Sequence, residues 1–188
     1  MPRRSIALQD EIKQTRPFRS SAEEVVVSVL RTAAVVQRPL AQVVEARGIT
    51  IQQYNVLRIL RGAGEAGLPT LAIRDRMVEE AAGITRLLDK LEMAGHVIRE
   101  RSTPDRRQVL CHITQKGINL ITELDGPMDA ANQRAGSMLD DGERGQLVEL
   151  LGAIRAAFAN HRATERAGVR PSERTQGSMR AAQPPITK

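Results

Sequence analysis

From Ala81 to Ala94 the apolar residues Ile84, Leu87, Leu88 and Leu91 recur at steps of three, one and three. That spacing lays them along one side of a helix and leaves the opposite side polar. Gly95 ends the run. The chain then enters two short segments, Val97-Ile98-Arg99-Glu100-Arg101 and Gln108-Val109-Leu110-Cys111-His112-Ile113, which read as strands. Ser102-Thr103-Pro104-Asp105 between them supplies turn chemistry. A helix anchored by such a stripe, with a hairpin directly behind it, keeps its N-terminal outer face free.

The flanking sequence is helical in pattern. Ser21 followed by Glu24 predicts a capping box opening a first helix, with Val25, Val29, Ala33 and Val36 at helical spacing. Pro39 is expected to kink or break that helix, while Leu40, Val43 and Val44 carry its apolar face on to Gly48. Thr50 with Gln53 predicts a second capping box, opening a helix with Tyr54, Leu57, Ile59 and Leu60 that Gly62 and Gly64 stop. Pro69-Thr70 opens a short helix with Leu71, Ala72 and Met77. Thr114 starts another, with Ile118, Ile121 and Leu124 inward and a kink expected at Gly126-Pro127. A last helix starts at Asp140 or Asp141 and carries Leu147, Leu150, Leu151, Ile154 and Phe158 in one stripe.

The expected fold is therefore mainly α with a small β-hairpin wing. The middle four pieces stand in the order of a winged helix-turn-helix, and the long amphipathic outer helices suit a dimerisation layer. The expected boundaries are a flexible basic arm over 1–19, an N-terminal dimerisation helix over 20–48 and the winged domain over 49–115. C-terminal dimerisation helices follow over 116–162, then a disordered basic tail over 163–188.

Charge sharpens this division. The 188-residue chain has a net charge of +6. Residues 1–19 hold five cations against two acids, and residues 162–188 hold six against two, which leaves residues 20–161 at −1. The basic character thus belongs to the tails, and any nucleic-acid surface must come from the placement of charges within the body. No apolar run approaches the ~20 residues that cross a bilayer. No apolar segment follows the basic start, so a signal peptide is not expected and the cytoplasm is the expected compartment.

The outer N-terminal face of the 81–94 helix offers Glu80, Ala81, Ala82, Gly83, Thr85, Arg86, Asp89 and Lys90. Small residues at 81–83 allow close backbone approach to a duplex. Arg86 suits guanine or phosphate, and Thr85 a base edge or phosphate. The short helix before it brings Arg74 and Arg76 as further contacts. At the hairpin tip stands Asp105-Arg106-Arg107. An arginine there suits the minor groove, and a neighbouring carboxylate can orient it before binding. The plainer readings are a surface helix with a solvated arginine and a solvated turn capped by Asp105.

These residues together resemble the MarR family of bacterial regulators. The resemblance rests on Gln53 and Leu57, Leu71-Ala72, the run Ile84-Thr85-Arg86-Leu87-Leu88-Asp89-Lys90-Leu91-Glu92, Gly95, Asp105-Arg106-Arg107, and Ile113-Thr114-Gln115-Lys116-Gly117. It spans roughly residues 22–160. The resemblance implies a triangular homodimer with intertwined terminal helices. It also implies repression from an inverted-repeat operator in double-stranded DNA, often relieved by a small phenolic or aromatic effector or an oxidant. The two lobes would sit ~34 Å apart, one helical turn of the duplex. Ala81-Ala82-Gly83-Ile84 departs from the family, which often has Ser or Pro and a Val there. The long basic tails are a second departure.

A pocket for such an effector is expected between the dimer helices and the winged lobe, lined by Val36, Leu40, Tyr54 and Leu57. Cys111 alternates with Val109 and Ile113 and should face the core, as packing rather than a redox sensor. His96, His112 and His161 lack metal-ligand spacing, so neither metal nor cofactor is expected. No phosphate loop, nucleophile elbow or HExxH run is present, so an enzyme is not expected either. With two Phe, one Tyr and no Trp, stacking on single strands is disfavoured. The competing reading is a winged-helix protein-interaction module that no longer binds DNA, which the near-neutral body keeps open.

Overall fold

A computed structural model describes residues 7–79, 83–101 and 108–166, with side chains to residue 159. The chain forms two compact units, Met1–Met138 and Leu139–Lys188. Among the described residues, no helix is long and apolar enough to cross a membrane.

The first unit begins with a one-turn helix, α1 (Leu8–Glu11), inside the segment expected to be a flexible arm. The Arg31 Nε donates to Glu11 Oε1 at 2.8 Å, which ties α1 to the next helix. That helix, α2 (Ser21–Glu45), is capped one residue earlier than expected. Ser20 is extended and its hydroxyl accepts from the Glu23 amide at 3.1 Å. Glu23 in turn accepts from the Arg19 amide at 2.7 Å, so the pair is Ser20 and Glu23 rather than Ser21 and Glu24. α2 runs through Pro39 without a break. The ring removes one helical hydrogen bond, and packing of Leu40, Val43 and Val44 on the core holds the helix beyond it.

Thr50 and Gln53 form the expected capping box at the start of α3 (Ile51–Ala63). The helix passes Gly62 and ends at Gly64. A turn of 3-10 helix follows at Gly64–Ala66. Next comes a feature the sequence reading did not contain, the two-residue strand β1 (Leu68–Pro69). It precedes α4 (Thr70–Arg74) and, after a connector, α5 (Ile84–Met93). Strands β2 (Val97–Arg101) and β3 (Val109–Ile113) form the hairpin. The sheet is antiparallel in the order β1-β3-β2, with Leu68 opposite Cys111 and Arg99 opposite Cys111 on the other edge. The first unit closes with α6 (Gln115–Gly136), capped by Thr114 as expected and continuous through Pro127.

One core serves these elements. Val44 of α2, Leu57 and Leu60 of α3, Ile73 of α4, Leu88 and Leu91 of α5, Cys111 of β3 and Ile121 of α6 are all fully buried. Each buried side chain of this size contributes about 1.5–3 kcal/mol relative to exposure.

The second unit is α7 (Asp141–Arg166). Asp140 and Glu143 cap it reciprocally, each backbone N–H donating to the other's carboxylate at 2.9 Å. Helix continues to Arg166, so the segment expected to be a disordered tail from 163 is helical over its first four residues. Leu147, Val148, Leu150 and Phe158 are exposed along it.

The junction between hairpin and α6 tolerates no side chain at Gly117. A Cβ there would stand 2.5 Å from the His96 carbonyl oxygen and 2.7 Å from Ile113 Cγ1. At Gly62 it would meet nothing within 4 Å. Gly117→Ala should therefore cost about 1–3 kcal/mol in urea denaturation, and Gly62→Ala should be neutral or stabilising by up to about 1 kcal/mol. Equal effects at the two glycines would contradict this packing.

Candidate nucleic-acid interface

Helix α5 has two unlike sides. Ile84, Leu88 and Leu91 are buried and Leu87 is half-buried. Thr85, Arg86, Asp89 and Lys90 are exposed on the other side. The helix starts at Gly83, whose backbone is extended at φ 174° and whose carbonyl accepts from the Leu87 amide. Glu80, Ala81 and Ala82, also expected on this face, lie outside the described residues.

The rotation of α5 is fixed by polar contacts as well as by its stripe. Arg99 of β2 donates to Asp89 Oδ1 at 2.6 Å and to the Thr85 carbonyl at 3.3 Å. Glu92 stands 3.6 Å from the same guanidinium. Burial works against the Arg99 charge, but the Asp89 hydrogen bond and the nearby carboxylates outweigh it and raise its pKa. At the other end, Lys116 Nζ donates to the Ala94 carbonyl and the Thr114 hydroxyl to the Gly95 carbonyl, both at 2.8 Å. The Thr114 hydroxyl also accepts from the Gly117 amide at 3.1 Å. The Thr-Gln-Lys-Gly motif is thus a clasp on the C-terminal end of α5, where a cation also suits the helix dipole. Gly95 makes the turn itself, at φ 74°.

Asp89 is engaged by Arg99 rather than by the cations of the outer face. Neither Arg86 nor Lys90 forms an ion pair with another described residue. Arg74 and Arg76 are exposed beside this helix. Arg74 lies 3.3 Å from Asp75, and Arg76 donates to the Ala72 carbonyl at 2.8 Å. Asp105, Arg106 and Arg107 of the hairpin tip lie outside the described residues.

A cavity of about 410 Å³ opens between α2, α3, the connector before α5, and α6. Val36, Leu40 and Tyr54 line it, together with Met77, Met128 and Arg58. Leu57 does not line it. Leu57 is fully buried beneath, because its turn of α3 faces the core. Arg58 stands over the Tyr54 ring at 5.9 Å. Burial raises the Tyr54 pKa, so the phenol is neutral at pH 7. Cys111 is fully buried, and desolvation pushes its thiol above the usual range. That is the setting of a packing cysteine.

A core helix pair with a free polar helix face, followed by a hairpin on the same core, defines the winged-helix class. The MarR family model matches residues 49–109. Among curated proteins, the regulator TtmR of Methylorubrum extorquens is 36% identical over 107 residues, covering 57% of this chain and 53% of that one. The chain matches about half to three-fifths of the length of the first such relatives. A MarR transcription factor from Planctomyces limnophilus is 31% identical, with 73% of this chain and 99% of that one aligned at a TM-score of 0.56. CouR of Rhodococcus jostii RHA1, solved with p-coumaroyl-CoA, has the same fold at 23% identity and a TM-score of 0.63, over 73% and 95% of the two chains. The chain belongs to the MarR family, and the curated relatives it matches are described as transcriptional regulators.

The Arg99 contacts were not read from the sequence, although a signal was there. Val97 points inward, so Arg99 two residues on points inward too, and an inward arginine needs acceptors. Arg99→Ala should release α5 from β2 and lower stability by about 1–2 kcal/mol in urea denaturation. An unchanged midpoint would show that the apolar stripe alone holds the helix.

Proposed function

We propose that this chain is a homodimeric repressor that binds a pseudopalindromic site in double-stranded DNA and is released by a small aromatic effector. The observation that carries this reading is the outer face of α5. It presents Thr85, Arg86 and Lys90, with Asp89 between them already taken up by Arg99. A helix of this kind enters a major groove by its N-terminal end. Arg74 and Arg76 would add phosphate contacts. Arg106 and Arg107, oriented by Asp105, would reach the minor groove. Ala81, Ala82 and Gly83 would lie against the duplex as the close-approach segment, with Glu80 at its edge.

The dimer reading rests on apolar side chains without cover in a single chain. Val25, Val26, Leu30 and Val35 are exposed on α2. On α7 the same holds for Leu147, Leu150 and Phe158. We assign residues 20–48 and 116–162 to dimerisation and 49–115 to DNA binding. The cavity against α2, α3 and α6 has room for an aromatic ring and a short substituent, and CouR, of the same fold, was solved with p-coumaroyl-CoA. This reading places the protein in the cytoplasm, as a regulator rather than a catalyst.

The experiment is selection from a randomised duplex pool, followed by anisotropy titration of the selected sequence. Arg86→Ala should weaken binding by about 5- to 150-fold, equivalent to about 1–3 kcal/mol. Changing Arg106 and Arg107 together to Ala should abolish binding while sedimentation still reports a dimer. Affinity should fall steeply with salt, as phosphate neutralisation requires. A pool that yields no enriched sequence, with only modest salt dependence, would favour a protein-interaction module instead.

A further inference from the structure

The connector between α4 and α5 has few apolar anchors. Between buried Ile73 and buried Ile84, Met77 alone among the described residues packs on the core. Val78, directly after it, is 87% exposed. Three side-chain amides from other elements hold this stretch instead. Asn55 Oδ1 on α3 accepts from the Val78 amide at 3.0 Å. Gln52 Nε2 on α3 donates to one carboxylate oxygen of Glu79 at 3.0 Å. Gln37 Nε2 on α2 donates to the other. Glu79 is therefore clamped from two helices at once. It is the last described residue before the segment that leads into α5.

We infer that Glu79 is a positioning residue: its carboxylate, held by the amides of Gln37 and Gln52, fixes the connector and so sets the N-terminal end of α5 for its duplex. The inference rests on the DNA-binding reading above and deepens it. Hydrogen bonds to an ionised acceptor are about twice as strong as neutral ones. Here they fix the connector where little hydrophobic burial does. The charge of Glu79 cannot favour a duplex directly, since a carboxylate near phosphates repels them. Its contribution to binding must come through geometry. Gln37, Gln52, Asn55, Val78 and Glu79 also line the cavity, so the clamp lies where that cavity meets the connector.

The sign of the effect separates geometry from electrostatics. The full-length chain is compared as wild type, Glu79→Ala, the Gln37→Ala/Gln52→Ala pair, and all three changes together. On the duplex selected by the wild type, each of the first two variants should bind about tenfold more weakly, and the triple variant no worse than either, because the groups act as one unit. In the free protein, hydrogen exchange of the Leu87–Leu91 amides should be several-fold faster in all three variants, with the Val56–Leu60 amides of α3 unchanged. Glu79→Ala binding as tightly as wild type or more so, additive losses, or unaltered exchange would each overturn the inference. A wild type that binds no duplex would defeat the DNA-binding reading. Exchange in the free protein would then decide the clamp by itself, faster exchange supporting it and unchanged exchange overturning it.

Discussion

The free face of α5 exists because the opposite face is buried. Ile84, Leu88 and Leu91 fix the helix on the core shared by α3, α4 and the sheet, and burial of such a stripe is the largest favourable term available to it. Burial is non-directional, however, and leaves a helix able to slide and roll. The directional contacts come from its neighbours. Arg99 grips Asp89 and the Thr85 carbonyl from β2, while Lys116 and Thr114 hold the carbonyls at its C-terminal end. The hairpin and α6 thereby set the orientation of the one helix that presents Arg86 outward.

This arrangement gives the Thr114-Gln115-Lys116-Gly117 run a physical meaning in this chain. Thr114, Lys116 and Gly117 follow α5 by about twenty residues in sequence, yet all three act on its C-terminal end. Thr114 caps α6 and binds Gly95, Lys116 reaches Ala94, and Gly117 lets α6 approach the His96 carbonyl. Asp89 and Glu92 are the carboxylates that meet the Arg99 guanidinium at its inward strand position.

Much of the fold was legible because it is local. The stripe of α5, the Thr50 and Gln53 box and the Thr114 cap all depend on residues within one or two turns. What could not be read depends on distant partners. Strand β1 is two residues long and exists only by pairing with Leu110 and Cys111. Pro39 read as a kink or a break, but α2 runs on through it, because packing of Leu40, Val43 and Val44 on the core outweighs the lost hydrogen bond. Leu57 read as pocket lining, since periodicity marks a face without saying whether that face meets a cavity or the core. The Arg99 contacts join residues ten apart across two elements, and the Glu79 clamp joins residues 27 and 42 apart. Helical and strand periods carry no information at such separations. The expected DNA-facing residues at 80–82 and 105–107 lie outside the described residues.

In the proposed complex, two copies of α5 must meet one duplex in register. Hydroxyl-radical footprinting of the complex on its selected site measures that register at single-nucleotide resolution. Two protected tracts related by the dyad of the sequence are expected, with centres about 10 base pairs apart, one turn of B-form DNA. A single asymmetric tract, or protection spread evenly along the duplex, would contradict that register.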